Sequence, residues 1–288
     1  MVFRDEDRLS RRGFLTASAA GAAAAVAGCK LPRLCGCKER VGVALQLYSV
    51  RHDCAKDLPG TVAQVAEMGY EAVEFAGYYG RKAEDLRKML DANGLKCACA
   101  HIGIDALLGD NLQKSIDFHK TVGNKHLICP GLPGKYRDSA KAWGETAKLF
   151  NDIAAKLKPH GLRTGYHNHS IEFKPMDGQI PWDVFFGNTS KDVVMQLDTG
   201  NAMHGGAESV PILKKYPGRA YTLHCKPWSK KNPKAVIGED DLPWGEIFAV
   251  CEAQGATEWY IVEYEVPGRP ALVSVRMCID NLRKMGKL

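Results

Sequence analysis

Little net charge remains in this 288-residue chain once its first 40 residues are set aside. The formal net charge is +6, and +4 of it belongs to residues 1–40, where eight Lys and Arg accompany four Asp and Glu. The rest of the chain carries only about +2 and is not notably basic. Binding to a nucleic-acid backbone requires a concentrated basic surface, so charge gives no support for nucleic acid as a partner.

The ten cysteines lack the spacing of a zinc ribbon. Cys97 and Cys99 lie two residues apart on a predicted strand, so they share a face and are poorly placed to bond each other. An oxidising compartment would favour disulfides. We nevertheless expect most of these cysteines to be small buried apolar side chains.

A membrane-spanning run is also missing near the N-terminus. The apolar stretch Phe14–Ala27 is too short and too weakly apolar for a transmembrane helix, and is typical of an export signal. It follows paired arginines in Ser10–Leu15, which resembles a twin-arginine signal. The sequence VAGC at 26–29 resembles a lipobox, in which Cys29 would carry a lipid anchor. The alternative is a soluble periplasmic protein that is cleaved after Ala27.

These features predict three segments: a signal peptide over 1–29, a tether over 30–40 and an exported body over 41–288. The body contacts the membrane only through the lipid anchor, if Cys29 carries one.

After residue 40, apolar runs alternate with amphipathic stretches. The predicted strands are 41–50, 70–76, 95–102, 125–130, 163–169, 193–198, 220–226 and 259–265. The predicted helices are 57–68, 82–93, 110–122, 138–159, 181–187, 207–215, 242–254 and 270–285. Eight alternating pairs in a body of this length predict a single-domain α/β fold, the (β/α)8 TIM barrel. A doubly wound sheet would be expected to have a glycine-rich turn after its first strand, and Gln46–Asp53 contains no glycine.

Polar side chains stand at the C-terminal ends of the predicted strands, where TIM barrels place their active sites. They are Gln46 and Tyr48 on the first strand, Glu74 on the second, His101 on the third, His167, His169 and Glu172 on or after the fifth, Asp198, Asn201 and His204 on or after the sixth, His224 and Lys226 on the seventh, and Glu263 and Glu265 on the eighth. An imidazole or a charge inside an apolar strand is costly unless it is paired or bound to a metal. Six strands that carry such groups to one rim indicate a single functional site.

Asp198, His224 and Glu263 offer oxygen and nitrogen ligands without a thiolate. That donor set suits Mn²⁺, Co²⁺, Zn²⁺ or Fe²⁺ better than Ca²⁺. A histidine from the segment YHNH adds a fourth ligand, because His167 and His169 point to the same face of a strand. Three or four protein ligands leave coordination positions open, which is typical of a catalytic metal.

Seven stretches then resemble one known family. They are LQLYSVR, AEMGYEAVEFAG, CAHIG, GYHNHSIEF, MQLDTGNA, HCK and WYIVEYE, in this order between about residues 41 and 265. They are similar to the sugar phosphate isomerase/epimerase family, the xylose isomerase-like barrels that also include the endonuclease IV fold. The resemblance implies one divalent metal on Glu, Asp, His and Glu of strands five to eight, and Asp198, His224 and Glu263 match the last three.

The strand-five glutamate has no simple match here. His167 is the candidate replacement, with His169 reaching the substrate or the metal, and Glu172 competes for the ligand position if the strand unwinds early. Relatives also tend to have Asp after the strand-seven motif, where this chain has Pro227. We therefore expect the substrate contact that this Asp makes in relatives to differ in this chain.

The resemblance implies proton abstraction next to a carbonyl of a sugar or keto-sugar. The metal would polarise the carbonyl, Glu263 and His169 would move protons, and Lys226 would stabilise an oxyanion. The substrate contacts implied at the rim are Gln46, Tyr48, Glu74, His101, Glu172 and Trp228.

Three functions stay open at this point. The first is an exported metal-dependent isomerase or epimerase. The second is a metal-dependent lyase or dehydratase that acts on a 3-keto-glycoside or related keto-sugar. The third is a catalytically inactive carbohydrate-binding lipoprotein. The expected partner is a small-molecule sugar, and relatives of this kind also form homo-oligomers.

Overall fold

Eight short strands pair in the order of the chain and close into a parallel barrel, in which β1 pairs with both β2 and β8. The computed structural model describes residues 40–288. The strands are β1 Gly42–Gln46, β2 Ala72–Phe75, β3 Lys96–His101, β4 His126–Cys129, β5 Arg163–His167, β6 Val194–Asp198, β7 Thr222–Cys225 and β8 Trp259–Val262. The predicted TIM barrel is confirmed.

The helices surround this barrel. They are α1 Arg51–Lys56, α2 Leu58–Glu67, α3 Ala83–Ala92, α4 Asn111–Val122, α5 Ala140–Leu157, α6 Pro181–Asn188, α7 Thr199–His204, α8 Ser209–Lys215, α9 Trp244–Gln254 and α10 Ala271–Lys284. Each predicted helix is present, and α1 and α7 are additional short helices that the sequence pattern does not predict. All seven cysteines of the described region are buried and free of disulfides.

Several predicted strands end earlier than expected. The first was predicted to reach residue 50, but the side chain of Gln46 accepts a hydrogen bond from the Tyr48 amide and starts a 3₁₀ turn over Leu47–Val50. Likewise β5 ends at His167 and β8 at Val262. His169 and Glu263 therefore lie in loops at the barrel mouth rather than on strands.

Two layers of apolar packing hold the barrel. Outside it, aromatic rings of the helices cover the strands, as where Trp143 and Phe185 pack against Tyr166 of β5. Inside it lies an inner cluster of mostly small side chains: Ala44, Ala72, Ala98, Cys99, Ile128, Val194 and Ile261. Several of its members come two residues before a polar strand end, so they occupy the same face and support the polar groups from below.

The predicted signal peptide over 1–29 and residues 30–39 of the predicted tether lie outside the described residues. Within 40–288, no helix combines the length and the apolar character that crossing a membrane requires.

Gly165 sits where β5 and β6 approach closely below His167. A Cβ at this position would lie 2.3 Å from the carbonyl oxygen of Val194 and 2.7 Å from Cδ1 of Ile128. Real Cβ contacts are not this short, so we expect Gly165→Ala to lower the free energy of unfolding by about 1–3 kcal/mol, as overpacking does. Urea-induced unfolding followed by circular dichroism measures the change.

Gly187→Ala in α6 is the matched control. Apart from its chain neighbours and its own helix backbone, no atom lies within 4 Å of a Cβ at that position. Alanine is favoured over glycine inside a helix by roughly 0.5–1 kcal/mol. Equal stabilities of the two variants would contradict the packing argument for Gly165.

Candidate metal centre and active site

Four buried side chains converge at the C-terminal mouth of the barrel: His167, Asp198, His224 and Glu263. Each offers one ligand atom, and these atoms all lie within 4.8 Å of one another. His224 Nδ1 is 2.7 Å from Glu263 Oε2 and 3.8 Å from Asp198 Oδ2. His167 Nε2 is 4.0 Å from the same Asp198 oxygen. We call these four residues the mouth cluster.

Asp198 is fixed in this cluster by local hydrogen bonds. Its Oδ1 accepts from the Asn201 amide at 2.7 Å, which caps the start of α7. Its backbone N–H donates to Asn168 Oδ1 at 2.7 Å, and Asn168 Nδ2 donates to its carbonyl at 3.1 Å. Asn168 therefore ties the end of β5 to the end of β6.

The second carboxylate oxygen of Asp198 has no hydrogen-bond partner although it is buried. Leaving such an oxygen unsatisfied is costly, and a cation shared with its neighbours would remove that cost. Two carboxylates and two imidazoles are a donor set that suits Zn²⁺, Mn²⁺, Co²⁺ or Fe²⁺. The residues present therefore fit a divalent metal.

The local electrostatics keep a negative charge in the cluster. Burial would raise the pKa of Glu263, but the Lys226 ammonium and His224 hold it well below its usual value. Burial lowers the pKa of His167 well below its usual value, and the neighbouring imidazoles lower it further. Burial would also lower the pKa of His224, but the charge of Glu74 and the neighbouring carboxylates of Asp198 and Glu263 outweigh it and raise that pKa.

A second set of polar groups lies directly beneath the mouth cluster. Glu74 Oε2 lies 2.5 Å from His224 Nε2, and Glu74 Oε1 accepts from Gln196 Nε2 at 3.0 Å. His101 Nε2 is 2.7 Å from Gln196 Oε1, and its Nδ1 is 3.3 Å from Gln46 Nε2. We call Gln46, Glu74, His101 and Gln196 the lower layer.

The lower layer differs from the roles that the sequence predicts. Gln46, Glu74 and His101 are expected as substrate contacts, but the structure directs their polar atoms at one another and at His224. Glu74 and Gln46 have no exposed surface. Burial would raise the pKa of Glu74, but its interactions with His101 and His224 outweigh burial and lower that pKa to about 2. Glu74 is therefore a buried acceptor under the cluster and has no surface that faces a substrate.

Gln196 is central to this layer, although the pattern of polar strand ends does not predict it. Its amide group joins Glu74, Thr222, His101 and His167. The available signal is its place two residues before Asp198, because alternate residues of a strand share a face. Gln196 lies in the middle of β6 rather than at its C-terminal end, so a search of strand ends does not find it.

The rim above the cluster carries the remaining predicted residues. Lys226 Nζ is 3.0 Å from Glu263 Oε1 and 2.5 Å from Glu265 Oε1. His169 is exposed, with its ring centroid 5.3 Å from that of His167. Tyr48 is 43% exposed and Trp228 is partly buried. His169 and Tyr48 are therefore exposed to solvent, whereas Lys226 and Trp228 are partly buried.

Glu172 lies apart from the cluster. It belongs to a 3₁₀ turn over Ile171–Phe173 and is buried. One carboxylate oxygen accepts from the Tyr166 hydroxyl at 2.7 Å and the other from the His169 amide at 2.8 Å. Tyr166 is on the helix-facing side of β5, so Glu172 braces the loop after β5 from outside the barrel. The structure brings His167, and not Glu172, to the cluster.

Comparisons with known proteins agree with this architecture. The sequence pattern of the xylose isomerase-like TIM barrel family matches residues 62–284. An inosose dehydratase of Clostridium perfringens is 23% identical over 242 residues, which cover 71% of this chain and 81% of that protein.

Two solved structures share the fold. A sugar phosphate isomerase/epimerase from Parabacteroides distasonis superposes with a TM-score of 0.74 at 24% identity, covering 87% of this chain and 98% of that one. The IOLI protein, solved with a bound zinc atom, superposes with a TM-score of 0.65 at 11% identity, covering 85% and 96%. With the family pattern matched over most of its length, this chain belongs to the xylose isomerase-like TIM barrel family.

Proposed function

We propose that this protein is a metal-dependent lyase that removes water from a cyclic keto-polyol or keto-sugar. The observation that carries the proposal is the strand-five position of the mouth cluster, where His167 stands and the nearest strand-five carboxylate, Glu172, is bound to Tyr166. Epimerisation by two carboxylates on opposite faces of a substrate needs a glutamate at that position. The similarity to an inosose dehydratase, an enzyme named for a cyclic polyol ketone, supports the same choice.

His167, Asp198, His224 and Glu263 are the residues that would hold the metal. When bound, a divalent ion polarises a carbonyl oxygen and lowers the pKa of the adjacent C–H. The partnerless oxygen of Asp198 supports this assignment. Lys226, placed beside Glu263 and Glu265 at the rim, adds a fixed positive charge for an oxygen that gains negative charge.

His169 is the proposed proton-transfer group, because it is exposed at the mouth beside His167. Its imidazole takes the proton from the carbon next to the carbonyl, and the electron pair of that C–H bond moves toward the carbonyl. That electron pair then forms a double bond between this carbon and the next one, as the C–O bond of the hydroxyl on the next carbon breaks. The imidazolium returns its proton to this hydroxyl, which leaves as water, so one group serves as base and then as acid.

Isomerisation or epimerisation of a sugar is the second candidate. Glu263 favours it, because a carboxylate lies across the cluster from His167 and could move a proton on another face of the substrate. The similarity to a sugar phosphate isomerase/epimerase fits this alternative through the fold alone. The third candidate, a sugar-binding protein without activity, would not need the buried charged cluster.

Location is proposed from the sequence alone. Residues 1–29 act as a twin-arginine signal peptide, and Cys29 carries the lipid anchor on the exported protein. Twin-arginine cargo crosses the membrane folded, which would let the barrel load its metal before export.

Asp198→Asn tests the metal centre through stability. The variant keeps the Oδ1 acceptor for Asn201 and removes a buried charge whose second oxygen has no hydrogen-bond partner, at the loss of its attraction to His224 3.8 Å away. We therefore expect the metal-free variant to unfold at about the same temperature as the wild type. Zn²⁺ or Mn²⁺ at about 100 times Kd should raise the free energy of unfolding of the wild type by about 2.7 kcal/mol, and should leave the variant unchanged. Thermal unfolding with and without metal measures both. Asp192→Asn, at an exposed aspartate paired with Lys158, is the control that should keep the metal response.

His167→Ala and Glu172→Gln identify the strand-five ligand. We expect His167→Ala to weaken metal binding by more than about 100-fold, because it removes a ligand rather than a supporting contact. Glu172→Gln should keep about one metal per chain, since Glu172 contacts Tyr166 and the His169 amide instead of the cluster. Elemental analysis of dialysed proteins gives the metal content. If Glu172→Gln lost more metal than His167→Ala, the strand-five ligand would be a carboxylate, and epimerisation would be favoured.

Product analysis separates the candidate activities. We expect the metal-loaded protein to convert an inosose to a product that has lost one water molecule. The His169→Gln variant should catalyse this reaction roughly 10²–10⁴-fold more slowly, because it lacks the general acid–base. Mass spectrometry in D₂O distinguishes the outcomes. A product that has lost no water but has taken up deuterium from the solvent would favour isomerisation. Metal binding without turnover of inososes or keto-sugars would favour a binding protein.

A further inference from the structure

Both histidines of the mouth cluster turn their second ring nitrogen toward the same buried pair. His167 Nδ1 is 3.1 Å from Gln196 Oε1, and His224 Nε2 contacts Glu74 Oε2. Gln196 and Glu74 are joined by an amide-to-carboxylate hydrogen bond of 3.0 Å, and neither has exposed surface. The pair therefore contacts the two imidazoles from the side opposite to the cluster.

A series of hydrogen bonds that begins at a backbone N–H fixes the orientation of the Gln196 amide. A backbone N–H can only donate, so the Tyr48 amide requires the carbonyl end of Gln46 to face it at 3.0 Å. The NH₂ end of Gln46 then donates to His101 Nδ1 at 3.3 Å. His101 must consequently carry its proton on Nε2, which donates to Gln196 Oε1 at 2.7 Å.

The contacts at the NH₂ end of Gln196 indicate the same orientation of its amide group. Gln196 Nε2 faces both Glu74 Oε1 and Thr222 Oγ1 at 3.0 Å. A flipped amide would place its carbonyl oxygen against a carboxylate oxygen, acceptor against acceptor. Gln196 thus presents its carbonyl to His167, and Nδ1 of His167 must be the protonated nitrogen.

We propose that Glu74 and Gln196 are positioning residues that set the tautomers of His167 and His224. Gln196 holds the His167 proton on Nδ1 and leaves the Nε2 lone pair toward Asp198. Glu74 holds the His224 proton on Nε2 and leaves Nδ1 facing Glu263 and Asp198. A metal-bound histidine generally needs such a partner on its other nitrogen, and here one linked pair serves two histidines. The inference rests on the proposed metal centre for His224, because the proton that its Nδ1 shares with Glu263 in the metal-free protein must leave when a metal binds. The tautomers of His167 and His101 do not depend on the metal.

The decisive variant is Glu74→Gln, which keeps the shape and removes one acceptor. Its amide oxygen can accept from either His224 or Gln196, and its NH₂ group then opposes the other donor. We expect the Kd for Co²⁺, measured by competition with a chelating dye, to rise about 10–100-fold. The visible absorption spectrum of the bound Co²⁺ should change as well, because the histidine ligands are reoriented.

Thr222→Val is the matched control in the same layer. It removes one acceptor of the Gln196 amide but leaves the Glu74 contact that fixes its direction. We expect its Kd for Co²⁺ to stay within about threefold of the wild type, since a single neutral hydrogen bond is lost away from the imidazoles. Equal losses of affinity in the two variants would reduce the role of Glu74 to general support and overturn the inference.

Long-range ¹H–¹⁵N NMR of the metal-free wild type reads the tautomers directly and does not depend on how a variant folds. We expect His167 to be protonated on Nδ1 and His101 on Nε2. His167 protonated on Nε2 would overturn the inference even if the protein binds metal. Conversely, the expected tautomers in a protein that binds no Co²⁺ would support the inference and contradict the proposed function.

Discussion

A carboxylate without exposed surface must find hydrogen-bond donors inside the protein, and Glu74 imposes this requirement on the barrel mouth. The closure of the sheet brings donors from β3, β6 and β7 within reach of this one residue of β2. The lower layer follows from that requirement. In the mouth cluster above, by contrast, the buried Asp198 Oδ2 has no hydrogen-bond partner.

The sequence was sufficient to predict the fold and the convergence of the cluster. The alternation of apolar runs and amphipathic stretches predicts the barrel, and the barrel itself places strand ends together. Asp198, His224 and His167 then come close without any further information, since each lies on a strand near its end. Glu263 also comes close to these three residues, because it directly follows β8.

The roles of individual side chains were harder to predict, because they depend on partners that are distant in the chain. Glu172 is three residues from His169, yet its oxygens are occupied by Tyr166 on the far face of the strand and by a backbone amide. Gln196 and Glu74 are 122 residues apart and meet only in the closed barrel. Sequence spacing places residues on faces, whereas the pairing of donors with acceptors requires the tertiary structure.

Asn168 has a further consequence for how this site can vary. Its side chain joins the end of β5 to both backbone groups of Asp198, so the frame that spaces residues 167 and 198 is held by a residue outside the cluster. The distance between residues 167 and 198 therefore depends little on which side chain occupies position 167. A substitution at residue 167 would therefore leave the Asn168 bridge in place while it changes the ligand of the site and the donor that faces Gln196, so this position can alter the chemistry without rebuilding the barrel.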